Sequence, residues 1–127
     1  MDLTLFFISI ILNAFFWIKY CRKAYQFREF TGLITQDPKG NITIVPNENT
    51  IGNIVWNTAF AGVCYGNLID AFPIGKTHVW ISENGSTESS FRISRNTENN
   101  IVIVTKENGI HKNGLMVGTP IRIIVYK

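Results

Sequence analysis

Apolar and polar positions follow two unlike patterns along this chain. From Leu3 to Ile18 the run is almost continuously apolar, and it stops at Lys19, Tyr20, Cys21, Arg22 and Lys23. Sixteen helical residues at about 1.5 Å each cover roughly 24 Å, a little less than a hydrocarbon core near 30 Å. Flanking side chains make up the difference. Trp17 and Tyr20 have apolar rings with polar tips, and Lys19, Arg22 and Lys23 have long stems, so these five residues are the expected membrane interface. The segment predicts a retained signal-anchor, an N-terminal transmembrane helix crossing once. A cleaved leader fits poorly, because Asp2 is negative where leaders are positive and Phe15 to Tyr20 offers no pair of small residues. Ser9 and Asn13 lie four residues apart on one helical face and are candidates for a helix–helix contact in lipid. Tyr20, Ala24 and Phe27 continue the helical spacing and predict a stem to about residue 30. The expected division is therefore 1–30, anchor and stem, and 31–127, a β-rich domain.

Beyond Gly32 the period changes to short β-branched and aromatic runs separated by Gly, Asn and Pro clusters. Gly32–Thr35 and Asn41–Val45 flank Gln36-Asp37-Pro38-Lys39-Gly40, in which Pro38 presets a turn dihedral and Gly40 can take positive φ, so a hairpin is expected. Residues 51–64 mix large and small apolar side chains and suit either a buried strand or a short helix. Lys76–Ser82 and Ser89–Ser94 flank Asn84-Gly85 and read as a second hairpin. Ile101 to Val104 is apolar on both faces, as in a central strand, and its expected partner is Pro120–Tyr126. The second face of that last strand is only half polar, so something should cover it. Six to eight strands in a small antiparallel sandwich or partly open barrel follow, with one core and no second globular unit.

Charge adds orientation. Of the formal net charge of +3, Asp2 contributes −1, residues 19–30 contribute +3, and residues 31–127 carry eight basic against seven acidic groups. Basic residues beside a span favour the cytoplasmic side, which predicts a cytoplasmic C-terminal domain. The sequons at Asn41 and Asn84 are the counter-signal, since both would be glycosylation acceptors in a lumen. A domain so nearly balanced lacks the basic excess that nucleic acid demands, whereas the basic cluster at 19–28 suits anionic lipid headgroups. Two cysteines do not make a disulfide framework.

Candidate chemistry is sparse. There is no phosphate-binding glycine loop, no pair of histidines at metal spacing, no Cys-x-x-Cys and no Gly-x-Ser-x-Gly. No catalytic residue, cofactor, metal or small-molecule substrate is therefore expected. Aromatic supply is better: in Tyr65-Gly66-Asn67-Leu68-Ile69-Asp70-Ala71-Phe72-Pro73, the residues Tyr65, Leu68, Ile69 and Phe72 form the candidate protein interface. The expected function is a non-enzymatic, membrane-anchored protein-binding module, an accessory subunit of a membrane complex or a self-associating one. Two alternatives stand beside it. One is a pilin-like or secretion-apparatus subunit, whose usual processing glycine and early glutamate are missing here. The other is a small thiol enzyme or hydrolase pairing Cys64 with His78 or His111.

Overall fold

The computed structural model describes Thr4 and residues 8–14, 26–83 and 85–127. Residues 8–14 are helical and exposed, with Ser9 and Asn13 both on this stretch. Among the described residues no helix is long and apolar enough to cross a membrane. The expected interface residues Trp17, Lys19, Tyr20, Arg22 and Lys23 lie outside the described residues.

From Phe27 onward the described chain is built of nine strands: β1 (Phe27–Gln36), β2 (Ile42–Asn49), β3 (Val55–Phe60), β4 (Val63–Asn67), β5 (Thr77–Ile81), β6 (Ser89–Thr97), β7 (Asn100–Glu107), the two-residue β8 (Ile110–His111) and β9 (Thr119–Tyr126). They form two antiparallel sheets, a first in the order β2-β1-β9-β5 and a second in the order β3-β4-β7-β6, with β8 extending from β7. Alternation explains the layering. In β1 the residues Phe30, Ile34 and Gln36 point inward, and in β9 Ile121, Ile123 and Val125 do so. They meet Cys64, Phe91, Ile101 and Ile103 of the second sheet, with Phe72 and Met116 from the connecting segments filling the space between. This is a mainly β, two-sheet sandwich in outline.

Local chemistry sets several joins. Gly40 has φ +95° in the β1–β2 turn, and its N–H donates to the Asp37 carbonyl at 2.9 Å. Asp37 also accepts from the Lys39 and Asn41 backbone N–H groups and from the Asn41 side-chain amide, at 2.8–2.9 Å. The Asn41 bonds therefore hold the Asp37 carboxyl below its ordinary 3.8. Gly66 serves packing instead, since a Cβ there would sit 3.0 Å from the Trp56 ring.

The structure revises three expectations. The helical stem to residue 30 gives way to strand from Phe27, because Arg28, Phe30 and Ile34 share the inward face at a period of two and β9 supplies the partner backbone. Lys76–Ser82 and Ser89–Ser94 do not pair: β5 pairs with β9 and β6 with β7, so the segment after β5 crosses from one sheet to the other. Likewise β7 and β9 lie in different sheets. The apolar β7 is central, as its composition suggested, but its neighbours are β4 and β6. Residues 51–64 hold β3, the turn and the start of β4, rather than a helix.

Candidate functional site

The outer face of the first sheet carries the densest set of recognition-type side chains. Along β5, Thr77, Val79 and Ile81 turn inward, which leaves His78 and Trp80 outward. On β9 the outward residues are Pro120, Arg122, Ile124 and Tyr126, and the register aligns Ile124 with His78 on one side and with Glu29 of β1 on the other. A continuous ladder results. Phe27 and Tyr126 have ring centroids 6.0 Å apart, Tyr126 meets His78 edge-on at 5.4 Å, and His78 stacks on Trp80 at 6.3 Å. The Arg122 guanidinium then lies 5.5 Å from the Trp80 centroid and reaches Glu29 Oε1 at 3.4 Å. Such a cation over an indole face adds about 0.5–1 kcal/mol at an exposed site.

The ladder buries one residue and leaves two open. Ile124, although outward-facing, is only 4% exposed. Trp80 and Tyr126 stay 47% and 46% exposed. The second face of the last strand is thus covered in part by its own neighbours. Beside Trp80 a shallow cleft of about 370 Å³ is lined by Thr31, Leu33, Asn47, Trp80, Pro120 and Arg122, and the exposed Val45 stands next to Leu33 across the β1–β2 ladder.

The candidate segment 65–73 splits up. Tyr65 is half-buried on the outer face of the second sheet, Leu68 packs against the core, Ile69 is 81% exposed, and Phe72 is wholly buried. Hydrogen bonds hold this segment on the β6–β7 turn: the Leu68 and Phe72 N–H groups donate to Asn99 and Glu98 carbonyls, and Arg95 Nε donates to the Phe72 carbonyl at 2.7 Å. Of the four candidates, Ile69 alone is fully open to a partner.

Cys64 is buried and free, and its neighbours are not histidines. It accepts from Gln36 Nε2 at 3.3 Å and lies 3.9 Å from Thr58 Oγ1. Burial pushes the thiol above its ordinary 9.0, against the small opposing effect of Thr58, so the neutral and unreactive form is favoured. His78 belongs to the outer ladder and His111 is exposed on β8. The same neighbourhood holds Gln36, 1% exposed. Its Nε2 donates to Thr58 Oγ1 at 3.0 Å and to Asn113 Oδ1 at 3.2 Å, and its Oε1 accepts from the Gly114 N–H at 3.2 Å. Asn113 Oδ1 also accepts from the Gly62 N–H at 2.7 Å, and Thr58 donates to the Gly40 carbonyl. One buried amide therefore fastens three connecting segments at the end of the sandwich remote from Gln26. Its role is architectural. No described group of three His, Cys, Asp or Glu residues could hold a metal ion.

Sequence reasoning passed over Arg122, Glu29 and Gln36. The alternation in β5 and β9 could place His78, Trp80, Arg122 and Tyr126 outward, but only the cross-strand register brings them together. Comparison with known proteins finds no matching family model, no similar curated protein and no similar solved structure.

Proposed function

We propose that this chain is a membrane-anchored, non-enzymatic protein-binding module whose partner docks on the outer face of the first sheet. The observation that carries this reading is the exposed Trp80–Tyr126 pair, with Arg122 stacked on the indole. Tryptophan, tyrosine and arginine are the residues that dominate binding energy at protein interfaces, and here they converge on one rigid face. Leu33, Val45 and Pro120 extend the apolar area, while Glu29 and Arg122 supply a polar border.

The anchor is the Leu3–Ile18 run with its basic stop, and Ser9 with Asn13 offers a contact to a neighbouring helix. The charge ledger favours a cytoplasmic domain. A role as an accessory subunit of a membrane complex joins these features, since one end holds lipid and one sheet face holds protein. The thiol-enzyme alternative draws no support from the burial of Cys64.

Co-purification in mild detergent tests the reading. A stoichiometric partner should accompany the parent chain and the Cys64→Ser and His111→Ala variants, and should be lost from a Trp80→Ala/Arg122→Ala variant that remains folded. Retention by that variant, together with loss on Cys64→Ser, would reverse the assignment. Protease protection of the domain in intact cells checks its side, and digestion from outside would overturn the cytoplasmic placement.

A further inference from the structure

Two of the most exposed large apolar side chains in the described chain are Ile69 and Ile74, 81% and 80% exposed, both in the connection between β4 and β5. Backbone bonds fix where this connection lies. The Lys127 N–H donates to the Gln26 carbonyl at 3.2 Å, and the Tyr126 N–H donates to the Lys76 carbonyl at 2.9 Å. Ile74 therefore sits at the same end of the sandwich as Gln26, within about two strand spacings, roughly 10 Å, plus the reach of Gly75. The backbone is well held there. Lys76 N–H donates to the Pro73 carbonyl, Thr77 Oγ1 donates to the same carbonyl at 2.9 Å, and Phe72 plugs the core beneath.

Gln26 is the residue through which the anchor enters the domain. Seven residues separate it from Ile18, so even fully extended the eight chain steps reach about 26–29 Å. The headgroup layer takes up a further 5–8 Å of that reach, roughly. The entry end is thus leashed to the bilayer surface. Phe60, Ile110 and Val117 are also exposed, but they lie at the other end of the sandwich, about 30 Å away along a ten-residue strand. Charge at the entry end is mixed: Arg28 and Lys127 share a cleft with Glu29 and Glu48. What would drive contact is apolar burial at the loop tips, with the exposed Lys76 two residues from Ile74.

We propose that the β4–β5 connection is a second membrane contact, in which Ile74, and less deeply Ile69, enter the headgroup layer of an anionic bilayer beside the anchor. This rests on the anchor reading, and it gives part of the 65–73 segment a lipid rather than a protein occupant. It also fixes posture. With the entry end down, the first sheet stands upright on the membrane and presents Trp80 sideways to a membrane-embedded neighbour.

The test uses the full chain carrying Cys21→Ser, with an environment-sensitive fluorophore attached under native conditions to Ile74→Cys, Ile69→Cys or Val117→Cys, Cys64 being buried. Each is reconstituted into phosphatidylcholine vesicles with about one-quarter phosphatidylglycerol. Flotation after alkaline carbonate reports the anchor. Lipid-borne nitroxides report depth. The expected result is flotation of all three, with quenching at least about twofold at position 74, less at 69 and none at 117. Flotation with equal quenching at 74 and 117 would overturn the loop contact and leave the anchor standing. Failure to float would overturn both.

Discussion

The two sheets treat their outer faces differently. On the second, the outward residues of β7, Val102 and Val104, and Tyr65 of β4 are half-buried among the polar Asn57, Asn67, Ser90, Arg92 and Ser94, and Val55 at the β3 edge is 59% exposed. On the first, Ile124 is covered by an aromatic ladder whose members Trp80 and Tyr126 remain open. Both faces cover an apolar strand, but among the described residues the first does so with a tryptophan and a tyrosine that stay half open and an arginine over the indole, where the second leaves open the aliphatic Val55. A sheet that merely needed solvation would be built like the second. The first face is therefore the one we propose as the protein-binding surface.

The strongest break of this comparison is a pair of double substitutions. Trp80→Ala/Tyr126→Ala should weaken partner binding by about 3 kcal/mol or more, on the order of a hundredfold, while Asn57→Ala/Arg92→Ala on the second sheet should change it less than about twofold. Titration of the purified partner onto detergent-solubilised chain measures both. Equal losses from the two faces would end the distinction.

Stability gives the next contrast. Ile124→Ala removes a side chain that is nearly fully covered and should cost about 2–3 kcal/mol, whereas Val102→Ala, half-buried on the other face, should cost about 1. Urea unfolding of the isolated variants reads the difference in midpoint. Similar costs would mean that the ladder does not shield Ile124 as the structure shows.

Gln36→Leu affects neither outer face directly. It should cost about 1–3 kcal/mol by leaving the Gly114 N–H without its acceptor, and it should leave partner affinity within about twofold. Loss of binding in a folded Gln36→Leu chain would move the interface to the end that this residue fastens.

The smallest effect concerns pH. Asp37 titrates below 3.8 because Asn41 donates to its carboxylate, so its contribution to the β1–β2 turn is present above that value and is lost as pH falls through the lower folded value. Cys64 behaves oppositely. Its folded value lies above 9.0, so its contribution is fully present below 9.0 and is lost as pH rises from 9.0 through that higher folded value. NMR titration of Asp37 in an Asn41→Ala chain should return the carboxyl toward 3.8, and binding on either face should not follow.

Much of the fold was legible in residue order. Gln36 to Gly40 announced their turn because Pro38 fixes its own φ and Gly40 tolerates the positive φ it adopts, and the apolar Ile101–Val104 run announced a central strand because both its faces must be buried. Strand partners were not legible. Asn84-Gly85 looked like a hairpin turn, but β5 and β6 pair elsewhere because their neighbours in space, β9 and β7, come from distant sequence. Tyr20, Ala24 and Phe27 matched a helical spacing over too few residues to outweigh, from Phe27 on, the ladder that β9 offers. The same limit governs the site. The sequence shows Trp80 and Tyr126 as aromatic residues of separate strands, and the meeting of Phe27, His78, Arg122 and Glu29 around Ile124 depends on register across three strands. Phe72, by contrast, sits in a loop-like stretch and is core, because the segment folds back on the β6–β7 turn.

The most direct measurement is site-specific photocrosslinking in living cells, with the reactive side chain at position 80 and, separately, at position 92. The account predicts one discrete adduct with a membrane-associated protein from position 80 and none from position 92. An adduct from position 92 alone, or none from either, would contradict it.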